Sequence, residues 1–200
     1  MHEEKQHFFF IFGPPAVGKM TVAYALAEKL KGHVFHNHLS IELLLPLFSF
    51  GSPSFSHLNE LIRKSVFEEV AKSDISVFVF TFVWALDLAS ETEYVEDICS
   101  IFESKGWLNY FIELESSLEA RLKRNRSEFR LSQKASKRDV EASTKRLLNN
   151  EASEHHFNSA GDFPFPDKHL KINNTHISAE HVAEYIIEQF GLRDENLNKS

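Results

Sequence analysis

The chain has 200 residues, of which 42% are hydrophobic and 26% charged, the balance of an ordinary globular domain with enough apolar material for its own core. A formal net charge of −7 argues against nucleic acid as a partner, because the protein's field repels phosphate backbones. One cysteine, Cys99, excludes an internal disulfide framework and fits a reducing, cytoplasmic setting.

Strand and helix patterns alternate along the chain. "MHEEKQHFFFIF" is read as no signal peptide, and no stretch approaches the ~20 apolar residues of a membrane span. "HFFFIF" (7–12) is wholly apolar, as a strand buried on both faces requires. "KMTVAYALAEKLKG" (19–32) carries apolar residues at helical spacing and stops at Gly32. "HVFHN" (33–37) reads as a second strand, and "SIELLLPLF" as a helix that Pro46 bends or ends. "FGSPSFS" (50–56) reads as a loop. "SHLNELIRKSVFEEVAKS" (56–73) reads as an amphipathic helix with Leu58, Leu61, Ile62, Val66 and Val70 on its apolar stripe, and with Arg63 and Lys64 opposite.

"ISVFVFTFVW" (75–84) is the clearest strand pattern, and "SETEYVEDICSIFESKG" (90–106) is a helix. "WLNYFIELE" (107–115) is a strand. Ser116 and Glu119 then have the spacing of a capping box for "SLEARLKR". From Arg121 to Lys145 the chain is rich in Arg, Lys and Ser, with few apolar anchors. "DVEASTKRLLNNEAS" (139–153) is a helix, "HLKINN" (169–174) a late strand, and "SAEHVAEYIIEQFG" a last helix between Ser178 and Gly191. Residues 193–200 read as a flexible tail. Five strands separated by helices predict an α/β fold: a five-stranded parallel sheet with helices on both faces, in a single domain over 1–192. Ligands of such sheets sit at the carboxyl ends of the strands.

"GPPAVGK" (13–19) has the glycine, four residues, glycine-lysine spacing of a phosphate-binding loop, with a buried strand before it and a helix after. Gly13 permits the sharp exit from the strand, and Gly18 lets backbone approach phosphate. Lys19 brings a positive charge, and the helix start adds unpaired N–H groups. Pro14 and Pro15 have no N–H, so the cradle amides fall between Ala16 and Thr21, with Val17 and Met20 among them. A plain glycine-rich turn is the alternative. Met20 stands where such loops usually carry a hydroxyl that holds Mg²⁺, and Thr21 follows it.

This order resembles the loop of adenylate kinase and related small-molecule kinases, which also lack the hydroxyl directly after lysine. The chain as a whole resembles the shikimate-kinase-like and chloramphenicol-phosphotransferase-like P-loop kinases. That resemblance implies ATP and Mg²⁺, the metal held mainly by phosphates and water with Thr21 or Asp87 as possible contacts. It also implies an acceptor-binding helical region after the second strand (about 37–72) and an arginine-bearing lid after the fourth (about 124–140).

On the acceptor side, shikimate kinase carries aspartates where this sequence has His36, Asn37 and His38. An imidazole titrating near pH ~6.5 can take a hydroxyl proton; packing and helix capping are the other roles open to these residues. Arg63, next to Ile62, loosely matches the family's phenylalanine-arginine pair, and either holds an anionic acceptor group or lies on a solvated face. Trp84 and Asp87 are expected to face the cleft from the end of the third strand. "RSEFRL" resembles the lid pattern of arginine, three residues, arginine, leucine, which assigns Arg126 and Arg130 to the transferring phosphoryl group. The family's proline after the second arginine is missing here. Asn173, Asn174 and Thr175 occupy the loop that borders adenine in the related kinases, or are turn residues.

The leading expectation is therefore a kinase, a monomer or homodimer, that moves phosphate from ATP to a hydroxyl of a small molecule. A nucleotide-binding regulatory protein without an acceptor is the second reading, and a kinase for nucleic-acid ends the third.

Overall fold

The computed structural model describes residues 5–161 and 163–192. The tail proposed for 193–200 lies outside them. The elements in chain order are β1 (His7–Phe12), α1 (Lys19–Leu30), β2 (His33–His36), α2 (His38–Leu44), α3 (Pro53–Ala71) and β3 (Val77–Thr81). They continue with α4 (Ala89–Glu103), β4 (Leu108–Glu115), α5 (Leu118–Asn125), α6 (Glu128–Gln133), α7 (Val140–Glu151), β5 (His169–Asn173) and α8 (Ala179–Gln189).

The five strands form one parallel sheet in the order β2-β3-β1-β4-β5. β1 is central, and its run of apolar residues follows from burial on both faces. Successive side chains point to opposite faces. Phe9 and Ile11 join Val79, Ile112 and Leu114 under α1 and α8, where Val22, Leu26, Val182 and Ile186 complete the layer. Phe8, Phe10 and Phe12 join Phe78, Phe80 and Phe111 under α3 and α4, with Phe67, Ile98 and Phe102 from the helices. The second layer is built from rings: Phe8 stacks on Phe102 at 4.1 Å, and Phe67 meets Phe80 edge-on at 4.9 Å. A small third cluster of Ile41, Leu44 and Phe55 joins α2 to α3.

Several boundaries differ from the sequence expectation. α3 starts at Pro53, inside the stretch read as a loop, because proline suits the first helical position and Ser52 caps it by accepting from the Phe55 amide at 3.3 Å. The buried face of α3 carries Phe55, Arg63, Phe67 and Ala71, whereas Leu61 is exposed, so Arg63 is on the covered side and not opposite it. β3 ends at Thr81, and Phe82 to Trp84 leave the sheet. α5 is capped by Ser117, one residue later than expected, through the Ala120 amide.

Candidate functional site

At the carboxyl end of β1 the chain turns sharply. Gly13 has φ 135°, and a Cβ there would lie 2.2 Å from the Leu114 carbonyl oxygen on β4. The position therefore requires glycine. Ala16 and Gly18 also have positive φ, 62° and 110°, which curl the loop back to the start of α1. The first amides of α1 have no intrahelical acceptor, and the helix dipole adds positive potential there. Lys19 is buried, and its ammonium donates to the Gly13 and Pro14 carbonyls at 2.6 and 2.8 Å. Burial, then the charges of Lys134, Arg130 and Arg121, push its pKa well down. Cations crowd around this lysine, a setting that an anionic ligand stabilises. Met20 is buried in the core of α1, while Thr21 is exposed beside it.

The loop is clamped from behind. The Val17 carbonyl accepts from Asn174 Nδ2 and Arg124 Nη1, each at 2.9 Å. Arg124 also donates to the Asn174 side-chain oxygen at 3.1 Å, to the Asn174 carbonyl at 2.6 Å and to Ser116 Oγ at 3.2 Å. Thr175 accepts from the Ser117 amide at 2.9 Å. Asn174 and Arg124 thus brace the loop, with Arg124 as the hub, while Thr175 ties the start of α5 to the same turn.

β2 delivers the histidines. His36 is 1% exposed, its ring nitrogens have no hydrogen-bond partner among the described residues, and burial then Lys134 bring its pKa down to about 4. Asn37 is buried and opens α2. His38 Nδ1 lies 3.1 Å from Glu42 Oε1 one turn on. A carboxylate only accepts, so Nδ1 carries the proton and Nε2 keeps its lone pair. Burial and then Lys134, Lys137, Arg130 and His36 keep this imidazole neutral. The sequence pattern His-x-x-x-Glu could have revealed Glu42, because i and i+4 share a helix face.

Glu42 also reaches the segment after α6. Its Oε2 accepts from the Ser136 amide at 3.0 Å and its Oε1 from the Ser136 hydroxyl. This contact sets the segment after α6 against α2. Lys134 is buried there, and the Arg130 Nε is buried without a hydrogen-bond partner among the described residues. Lys19, Arg130 and Lys134 therefore form one cationic group beside the two histidines.

Other expected residues stand elsewhere or are otherwise engaged. Arg126 is exposed and lines a surface groove with Val140, Thr144, Lys145 and Leu148 on α7, so it does not join the group around Lys19. Arg63 is 4% exposed and donates to Ser40 Oγ at 2.9 Å and to the Asn37 carbonyl at 3.0 Å. It ties α3 to the start of α2 instead of lying free for an acceptor, because the helix face it occupies is the buried one. Trp84, expected at the cleft, is fully buried among Phe10, Phe12 and Phe163. Asp87 accepts from His155 Nδ1 at 2.9 Å and from the His156 amide at 2.7 Å. The bond from His155 and then the one from His156 bring its carboxyl down to about 2. It closes a loop-to-loop contact. Asn173 accepts from the Thr175 amide at 3.1 Å, in the manner of a turn residue.

The loop's residues fit a nucleotide triphosphate: open amides, a glycine where backbone must approach closely, and a buried lysine. For Mg²⁺ the fit is looser, since among the described residues no cluster of three or more His, Cys, Asp or Glu side chains stands together. Thr21 offers the hydroxyl next to the loop, and phosphates and water would complete the coordination.

No protein-family model matches the chain, and no curated protein does. Solved structures do. The APS kinase of Mycobacterium tuberculosis is 15% identical, with a TM-score of 0.57 over 94% of this chain and 99% of that one. The gluconokinase of Sinorhizobium meliloti 1021 is 12% identical, with a TM-score of 0.55 over 98% and 97%. The shikimate kinase of Acinetobacter baumannii is 17% identical, with a TM-score of 0.54 over 96% and 97%.

Proposed function

The chain shares its fold with small P-loop kinases, and from that premise we propose that it is an ATP-dependent kinase acting on a hydroxyl of a small molecule. The observation that carries the reading is the pairing of two half-sites. A phosphate loop holds a buried lysine bonded only to loop carbonyls among the described residues, and beside it a histidine is held in one tautomer by a carboxylate. The solved neighbours, whose names include three small-molecule kinases, support it.

Loop amides, Gly18 and Lys19 would hold the phosphates of ATP, and Thr21 would face the Mg²⁺ that neutralises them. His38 Nε2, kept neutral by burial and the cations around it, would accept a hydrogen bond from the acceptor hydroxyl and orient it, with Glu42 fixing the ring, and the hydroxyl proton would leave with the transferred phosphoryl group. The acceptor oxygen then bonds to the terminal phosphorus as its bond to the bridging oxygen breaks, and ADP leaves with that electron pair. Arg130 would stabilise the charge on the moving group. His36, whose nitrogens lack partners, would contact the acceptor. The proposed setting is the cytoplasm, where ATP and Mg²⁺ are supplied, and the proposed unit is one domain over 1–192.

Calorimetric titration with Mg²⁺ and ATP tests the nucleotide half. Lys19→Ala should weaken binding at least ~10-fold, the scale of a lost charge-assisted contact. Unchanged affinity would remove the phosphate-loop assignment. A panel of sugars, nucleosides, antibiotics and shikimate-like acids tests the acceptor half. One observation favours a regulatory protein without an acceptor: Arg63, Trp84 and Asp87 are all engaged inside the protein. ATP turnover that no panel member stimulates would support that second reading.

A further inference from the structure

The exposed apolar side chains are not scattered evenly. Ten large ones are exposed among the described residues, and four of them, Leu39, Leu43, Leu47 and Phe50, fall within twelve residues. Their exposures are 44%, 62%, 74% and 71%. Leu39 and Leu43 stand one turn apart on α2. The helix runs on into a further turn, with the Leu45 amide bonded to the Ile41 carbonyl and the Phe48 amide to the Leu44 carbonyl, each at 3.0 Å. Leu47 therefore continues the row at the same spacing. Phe50 follows, its ring 5.1 Å from that of the buried Phe55.

α2 has three faces. Ser40, Ile41 and Leu44 are buried, with Ile41 and Leu44 in the cluster shared with α3. His38 and Glu42 share a second face, where Glu42 meets Ser136. The leucines lie on the third, and no described element covers them. At these exposures the four side chains present roughly 450 Å² of apolar surface, close to the apolar share of the ~800 Å² that each partner gives to a standard interface. A patch of that size marks an interaction surface.

Charge selects the occupant. From Leu43 to Ser56 the chain has no charged residue, and Glu42 just before is turned to His38 and Ser136. The chain carries a net charge of −7, so two copies repel in most orientations and meet at least cost where the surface is neutral. A charged partner would need countercharges that the patch lacks. A membrane surface fits less well, because interfacial helices set Lys and Arg beside their apolar row. Between Lys31 and Arg63 there is neither, and Arg63 is itself buried.

We infer that the row Leu39, Leu43 and Leu47, with Phe50, is the contact between two copies of this chain, packed about a two-fold axis that sets each row against its equivalent. The contact stands apart from the kinase reading, since none of the four residues has a role in it.

Sedimentation velocity of the full chain, from low to high micromolar concentration, tests the contact. The parent should sediment as two chains and fall toward one on dilution. Leu47→Glu should raise the dissociation constant by ~100-fold or more, because the two-fold axis brings the carboxylate in twice, each time without a counter-charge. Leu43→Ser, which removes apolar area and adds no charge, should raise it by ~10-fold. Leu148→Glu, at an exposed leucine of α7, should leave it unchanged. Far-UV circular dichroism matching the parent's separates loss of the contact from loss of the fold. A parent that stays a single chain at high micromolar concentration overturns the inference, and so does a dimer that survives Leu43→Ser and Leu47→Glu together. A single-chain parent that floats with phosphatidylcholine vesicles would give the face to a membrane instead.

Discussion

At the scale of residues, a heavily bonded buried charge lies outside the candidate site. Glu113, fully buried on β4, accepts from Ser159 Oγ at 2.7 Å, the Ser159 amide at 2.8 Å, His169 Nε2 at 2.9 Å and Asn158 Nδ2 at 3.0 Å, and pairs with Lys171 at 3.2 Å. Burial pushes its carboxyl up, but the bonds from His169, Ser159 and Asn158 outweigh burial and bring it down to about 2. A folded value below the unfolded one of 4.5 means stability that is present above about pH 4.5 and lost as pH falls toward 2. Glu113→Gln should cost about 1–3 kcal/mol at pH 7, where charged bonds are replaced by neutral ones. By urea unfolding, the gap between parent and variant should narrow at about pH 3. An equal gap at both pH values would mean that the carboxylate's charge is not what holds the 155–171 segment to the sheet.

At the scale of elements, the proposed lid over about 124–140 has little packing of its own around α6. α6 has six residues and none is buried; Phe129 is 42% exposed and forms a T-shaped ring pair with Tyr24 at 6.2 Å. Ordering a residue costs ~1–2 kcal/mol, and this segment offsets that mainly through polar contacts: the Ser127 cap on α6 and Ser136 on Glu42. A bound triphosphate would add partners for Arg130 and Lys134. Amide hydrogen exchange should therefore show residues 126–138 exchanging fast without nucleotide and slowly with Mg²⁺ and AMPPNP. Protection confined to residues 13–21 would sink the lid role. The other half of the site differs in kind, since Arg63, Asn37 and Ser40 bind α2 to α3 before any ligand arrives.

At the scale of the whole molecule, the two faces of the sheet divide the labour. The α1 and α8 face is mostly aliphatic, with Phe9 and Tyr110 among it, and carries the phosphate loop; the α3 and α4 face is a packed array of rings. Phe67, 1% exposed, touches Phe35, Phe78, Phe80 and Phe102. Phe67→Ala should cost about 3–5 kcal/mol, because rings locked against one another cannot collapse into the cavity. Chemical unfolding measures this, and Mg²⁺-dependent AMPPNP affinity of the folded fraction should stay within ~2-fold, since the ring lies across the sheet from α1. A loss below about 1 kcal/mol would mean that this face relaxes freely.

What the sequence determined by itself was whatever rests on local pattern. The unbroken "HFFFIF" run marks a strand covered on both faces, the alternation of strands and helices marks a parallel sheet, and "GPPAVGK" marks a phosphate loop, each because period or spacing is set by backbone geometry. Even the histidine pair was visible, as residues at the end of a strand. Tertiary structure alone decided which charges meet. Arg63 reads as exposed by its neighbours in the chain, yet α3 turns it inward to bond α2. Trp84 leaves the sheet and fills the ring core, and Asp87 closes on a histidine 68 residues away. Arg126 and Arg130 share a motif, but Arg126 ends α5 and Arg130 lies within α6, so the break between the two helices separates them, and Ser136, two residues beyond the buried Lys134, docks on Glu42, 94 residues distant. Contacts over such separations depend on how elements pack, which local pattern does not encode.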